Sequence, residues 1–229
     1  MPRVLKRNLL VLGCGRSGTL YTCKVFAKAG MDLGHERVGT FGCCSMYFVT
    51  PKTDCSAVSN GQRTPIHKDE KREDYEFKHV WHQIRHPLKT IDSLAKSFSR
   101  KVRIWTHEQL GVALPGKSGN FQCSLEDKIA WAMSYWVINN ELCEKQADWT
   151  YKIEVFPWEE MCNKLGLGNR GMPNVSTTTN RGLRFAFKSK LQSDHIRETM
   201  HDTTWDTLRK ADPSLMSQVK NLAEHYGYI

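Results

Sequence analysis

The sequence predicts an α/β fold with a mainly parallel central sheet flanked by helices. Three observations carry that prediction. A short continuous apolar run, Asn8 to Leu12, leads straight into a glycine-rich segment and then into residues with helical spacing. Such a run is what a parallel strand buried on both faces requires. Further along, strand-like segments alternate with helix-like ones, which is the pattern of a layered α/β domain. Finally, no apolar stretch approaches the roughly 20 residues that a membrane span needs.

Taken in order, Asn8–Leu12 is the first strand, Gly13–Gly18 a tight loop, and Thr19–Ala29 a helix. Leu20, Cys23, Phe26 and Ala27 line one face of that helix, and Gly30 suits its stop. Lys78–Ile84 alternates as a second strand. Pro87 fits the first position of a helix, and Ile91, Leu94, Ala95 and Phe98 follow at helical spacing. Gly111–Phe121 reads as an exposed loop. Ser124 with Asp127 marks the start of a helix through Ile129, Met133, Trp136 and Val137. Trp149–Val155 is a third strand, and Pro157 opens a short helix that Gly166 ends. Asn169–Arg184 is polar and irregular, and the segment from Ser214 through Val219, Leu222 and Tyr226 is an amphipathic helix. In sheets of this class, ligands bind at the carboxyl ends of the strands.

The chain has 229 residues, which at about 150 residues per domain predicts a single domain over 1–229. Apolar residues make up 40% and charged residues 25%, the balance of a globular protein that buries a core. The basic start and short apolar run mimic a signal peptide, but the apolar part is only Leu9–Leu12, so the expected location is cytoplasmic. The eight cysteines form no Cys-x-x-Cys pair and no metal-ligand rhythm with histidine, so free thiols and no metal site are expected. Lys and Arg outnumber Asp and Glu by 33 to 24, a formal charge of +9, which favours anionic ligands. The excess is dispersed and no nucleic-acid motif is visible, which argues against a nucleic-acid partner.

Two glycine-rich segments compete as phosphate loops. Gly13-Cys14-Gly15-Arg16-Ser17-Gly18-Thr19 lies between strand and helix, where backbone N–H groups and the helix dipole face an anion. Gly15 and Gly18 allow close approach, Arg16 adds a permanent charge, and Ser17 and Thr19 add hydroxyls. The lysine of a Walker A loop is missing, because Thr19 follows Gly18. A literal Walker A spacing, Gly111 to Ser118, occurs elsewhere, but Thr106–Leu110 before it is a poor buried strand and the residues after it do not begin a good helix. It reads as a surface loop. Downstream stands Ile84-Arg85-His86-Pro87-Leu88-Lys89-Thr90-Ile91-Asp92-Ser93. Arg85 offers the planar, paired donors that a phosphate accepts best, and Ser93, two helical turns on, can reach the same anion.

These two segments together resemble the sulfotransferases that use 3′-phosphoadenosine 5′-phosphosulfate. The loop is similar to their 5′-phosphosulfate loop, often Arg-Ser-Gly-Thr, and Arg85 with Ser93 is similar to their 3′-phosphate motif. The resemblance spans about Asn8 to Tyr228 and is dense only at the motifs. It implies a P-loop-like sulfotransferase architecture, with the donor held by Gly15, Arg16, Ser17, Gly18, Thr19, Arg85 and Ser93. It also implies a late basic loop over the 3′-phosphate, for which Arg181 or Arg184, in or just after Ser176–Gly182, could serve. The resemblance further implies a base in Gly34-His35-Glu36-Arg37: Glu36, because its distance from the loop resembles that in the members that use a glutamate, with His35 and His67 as alternatives. Trp81, Trp105 and Trp158 receive no ligand role.

The expected chemistry is in-line transfer of a sulfuryl group to an acceptor hydroxyl or amine, with a carboxylate base and no metal requirement. The acceptor stays open among glycan, peptide, lipid and small alcohol or phenol, as does the oligomeric state. The long connections Phe41–Gln62 and Arg100–Gln122 are expected to shape the acceptor pocket. The competing readings are a P-loop kinase or NTPase, and a non-enzymatic polyanion-binding protein.

Overall fold

A computed structural model describes residues 4–50, 71–97, 100–114, 123–175 and 202–229. His67, Phe98, Arg181, Arg184 and the Pro115–Ser118 part of the second glycine pattern lie outside the described residues. The described chain forms a five-stranded sheet in which every pairing is parallel. The strands are β1 (Leu5–Leu12), β2 (Leu33–His35), β3 (Gly42–Ser45), β4 (Tyr75–Ile84) and β5 (Trp149–Lys152), in the order β2-β3-β1-β4-β5. The helices are α1 (Thr19–Lys28), α2 (Pro87–Ser97), α3 (Arg100–Leu110), α4 (Leu125–Glu144), α5 (Trp158–Leu165), α6 (Trp205–Ala211) and α7 (Pro213–His225).

The apolar run of β1 explains the layering. Successive side chains of a strand point to opposite faces of the sheet. Leu10 and Leu12 accordingly join one core, Leu9 and Val11 the other, and all four are fully buried. The first core is closed by α2, α3, α4, α6 and α7, and the second by α1 and α5. Helix α4 runs for 20 residues, and buried side chains surround most of its circumference. Its start is the capping box read from the sequence: the Asp127 amide donates to Ser124 Oγ at 3.0 Å, and the Ser124 amide donates to Asp127 Oδ2 at 3.1 Å. Gly166 ends α5 in the left-handed conformation.

Several expectations need correction. The third strand stops at Lys152, and Ile153–Val155 turns as a 3₁₀ helix. The segment Phe41–Gln62 is not simply a long connection, because Gly42–Ser45 is strand β3, paired to both β1 and β2. Likewise Arg100–Leu110 is helix α3, and Gly111 follows it at φ +70°. The second glycine pattern therefore follows a helix, in the wrong context for a phosphate loop. Trp81, Trp105 and Trp158 are buried, at 0%, 0% and 4% exposure, which accords with giving them no ligand role. Among the described residues, no helix is long and apolar enough to cross a membrane.

Candidate functional site

The carboxyl ends of β1, β2 and β4 bring the motif residues to one end of the sheet. Between β1 and α1 the chain reverses through Gly13–Gly18. Arg16 takes φ +71° and Gly18 φ +99°, and the Ser17 amide donates to the Cys14 carbonyl at 3.0 Å. The amides of Gly18, Thr19 and Leu20 find no acceptor among the described residues, as expected in the first turn of a helix. The Ser17 hydroxyl is also orphaned: the residue is 1% exposed and its Oγ has no hydrogen-bond partner among the described residues. A buried hydroxyl without a partner is costly and rare in proteins. Its convergence with the three amides at a helix N-terminus is the complement of an oxyanion.

The second motif meets the first here. Arg85 Nη1 donates to the Arg16 carbonyl at 3.0 Å, and Arg16 Nε donates to Ser93 Oγ at 2.9 Å. Residues 77 positions apart in sequence thus share one hydrogen-bonded cluster. Arg16, Arg85 and Ser93 are half-buried, so each keeps contact with both protein and solvent. Three orphan amides, an orphan hydroxyl and two guanidinium groups fit a ligand that bears phosphate or sulfate groups. Behind the loop, burial pushes the Cys14 thiol well above its usual range, so no thiolate opposes an anion there.

His35 closes β2 at the same end, and Glu36 follows it. His35 Nε2 lies 3.1 Å from Thr19 Oγ1, which ties the end of β2 to the glycine loop. Glu36 stands at φ +51°. Its carboxylate accepts from the Ser45 hydroxyl at 2.7 Å and from the Met46 amide at 3.1 Å. These bonds fix the direction of the carboxylate. Among the described residues, Arg16 and Glu36 are the two non-glycine residues with positive φ. That conformation costs about 1 kcal/mol or more, and such residues gather at functional sites.

Sequence reasoning missed three residues that hold this site. Tyr135 of α4, fully buried, accepts the Gly15 N–H at 3.2 Å. Gln83 of β4, also fully buried, donates from Nε2 to the Ser17 carbonyl at 2.9 Å. Glu154 accepts the His86 amide at 2.9 Å and the Tyr228 hydroxyl at 3.0 Å. It thereby fastens the turn between Arg85 and α2, with a negative charge at a helix N-terminus. Only Gln83 left a sequence signal, as an amide inside an otherwise buried strand end. Tyr135 and Glu154 act across the fold, and nothing local marks them. Burial, with Glu154 beside it, pushes the Tyr228 hydroxyl well above the usual tyrosine range. Burial lowers the His86 imidazole, against the opposing pull of Glu154.

No family model, no curated protein and no solved structure matches this chain.

Proposed function

We propose that the protein is a sulfotransferase that moves a sulfuryl group from 3′-phosphoadenosine 5′-phosphosulfate to an acceptor hydroxyl or amine. The observation that carries this reading is the meeting of the two motifs, through the Arg85–Arg16 and Arg16–Ser93 hydrogen bonds. Nothing in the sequence obliges the two motifs to lie together in space. When bound, the donor supplies a sulfuryl group on a phosphate leaving group.

The residues divide the work by their chemistry. The amides of Gly18, Thr19 and Leu20, with Arg16 and the Ser17 hydroxyl, offer donors to the charge that builds on the leaving phosphate oxygen. Donors fixed before reaction need no reorganisation when that charge develops. Gly15 lets the backbone approach the ligand. Arg85 spends one N–H on the Arg16 carbonyl, and the rest of its fork suits the second phosphate of the donor, beside Ser93. Glu36, held by Ser45 and Met46, takes the proton from the acceptor as the new S–O or S–N bond forms and the bond to the leaving phosphate oxygen breaks. His35 keeps the Thr19 hydroxyl in place.

Calorimetric titration with adenosine 3′,5′-bisphosphate, beside ATP with Mg²⁺, tests the reading. The expected result is tight bisphosphate binding that Arg85→Ala abolishes. Binding of ATP with Mg²⁺ and no response to the bisphosphate would overturn it in favour of a kinase or NTPase.

A further inference from the structure

We infer that Gln83 is a positioning residue that aims the Gly18 amide of the glycine loop at the bound anion; this rests on the donor site proposed above. Gln83 is fully buried, one residue from the end of β4. Its Oε1 accepts the Thr22 hydroxyl at 2.5 Å and the Tyr151 hydroxyl at 2.7 Å. Thr22 is fully buried and Tyr151 is 4% exposed. The Ser17 carbonyl can only accept, so the amide nitrogen must face it, and it does so at 2.9 Å. The side chain therefore has one orientation, fixed from α1 and from β5.

The consequence follows from the peptide bond. In a trans peptide the N–H points opposite the C=O, and the structure has no cis peptide among the described residues. Drawing the Ser17 carbonyl down to Gln83 sends the Gly18 N–H the other way, out of the core. Two residues after Gln83, Arg85 holds the preceding carbonyl of the loop, that of Arg16, at 3.0 Å. The end of β4 thus grips two consecutive carbonyls. Gly13 lets the start of the loop pass close to β4: a Cβ there would stand 2.9 Å from the main-chain carbonyl oxygen of Gln83 and 2.7 Å from Ser17 Oγ. A leucine or methionine would fill the place of Gln83 without the desolvation that a buried amide requires. The amide contributes the direction of the loop.

Gln83→Glu tests this with the shape kept. The acid form of the new carboxyl can donate its proton to the Ser17 carbonyl as the amide does, whereas the carboxylate repels that carbonyl. Facing it are the Thr22 hydroxyl and the Tyr151 hydroxyl, which burial keeps protonated, with the Cys23 and Cys44 thiols behind Tyr151. Burial raises a carboxyl's titration range. Bisphosphate affinity of the variant, taken as a ratio to wild type at each pH, is expected near unity at about pH 5 and to fall about tenfold or more by about pH 9. A ratio that stays flat across that range overturns the inference and leaves the donor reading intact. If the wild type does not take up the bisphosphate, the donor reading fails, and inorganic pyrophosphate replaces it as probe. The same divergence with pyrophosphate then upholds the positioning role, and a flat ratio or no wild-type response to either anion overturns it. Should Gln83→Glu fail to fold, Tyr151→Phe removes one of the two bonds that orient the amide. A several-fold loss of anion affinity with the melting temperature little changed is expected, and unchanged affinity overturns the role.

Discussion

At the amino end of the sheet, Lys6, Arg7, Asn8, Thr40, Glu76 and Lys78 line an open cleft. At the carboxyl end, Arg16, Ser17, Arg85 and Ser93 gather at the glycine loop. Both ends are basic, yet they are built differently. Lys6 pairs with Glu76 at 3.6 Å, with side chains 82% and 62% exposed, and Arg7 spends its Nε on the Gly39 carbonyl. The charges of the amino end are solvated or already answered. The other end holds amides and a hydroxyl that nothing described answers, and two non-glycine residues in left-handed backbone. A formal charge of +9 therefore locates nothing by itself. Donors left without a protein partner at the start of a helix, with a buried orphan hydroxyl beside them, do locate a site, because an exposed cation is already satisfied by water.

The largest effect that could break this contrast lies at Glu36. Glu36→Gln keeps the shape of the side chain and removes its basicity. Turnover is expected to fall by about 10²–10⁴-fold, the usual contribution of a general base, while bisphosphate affinity stays near wild type. Full turnover by this variant would remove Glu36 as the base and turn attention to His35 or His67.

Acid sharpens the contrast from within the sheet. His82, beside Gln83 on the opposite face of β4, is fully buried, with Nε2 donating to Asn140 Oδ1 at 3.0 Å. Burial pushes its imidazole down to about 4, against the opposing pull of Asn140 and Glu144. In the unfolded chain the value is about 6.5. The unfolded state therefore binds the extra proton between these limits, so stability is full above about pH 6.5 and is lost as pH falls towards 4. A shift of this size corresponds to about 3 kcal/mol. Urea unfolding at several pH values should show that slope, and His82→Gln should flatten it. The carboxyl end of β4 then weakens with acid, whereas the exposed Lys6–Glu76 pair at the other end has little to lose.

Gly13→Ala acts on the loop by volume alone. The added Cβ meets Ser17 Oγ at 2.7 Å and the Gln83 carbonyl at 2.9 Å, and the second of these is backbone that cannot swing aside. A cost of about 1–3 kcal/mol is expected, read as a lowered melting temperature together with weaker bisphosphate binding. An unchanged melting temperature would mean that the loop yields more easily than its hydrogen bonds imply.

Local signals explain what can be read from the sequence. The β1 run, the glycine loop, the Ser124 cap and the Gly166 stop are each written in a few adjacent residues, and each stands in the structure. Strands β2 and β3 are not legible, because Leu33–His35 and Gly42–Ser45 have three and four residues and no β-branched side chain. Their pairing is decided by the neighbouring strands. Helix α3 is hidden by the low apolar content of Arg100–Leu110. At the site, Arg16 and Arg85 can be named from their chemistry and place in the sequence, and Glu36 only from the resemblance. Their supports, Tyr135 and Glu154, touch the site over sequence separations of 120 and 68 residues, which no local pattern encodes.

The smallest expected effect is the most demanding check on the comparison. Lys6→Ala removes a cation from the amino end and breaks its pair with Glu76. Exposed pairs of this kind contribute about 0–1 kcal/mol, so stability should stay within that range and bisphosphate affinity should not change at moderate salt. Long-range attraction between exposed charges is screened over about 8–10 Å near physiological ionic strength, while a ligand seated on the loop amides is held by contact. A marked loss of affinity in Lys6→Ala would mean that the anion sits at the amino end, or that the dispersed charge matters more than the loop. Unchanged binding there, beside abolished binding in Arg85→Ala, would assign recognition to the orphaned donors and to the guanidinium that β4 presents beside them.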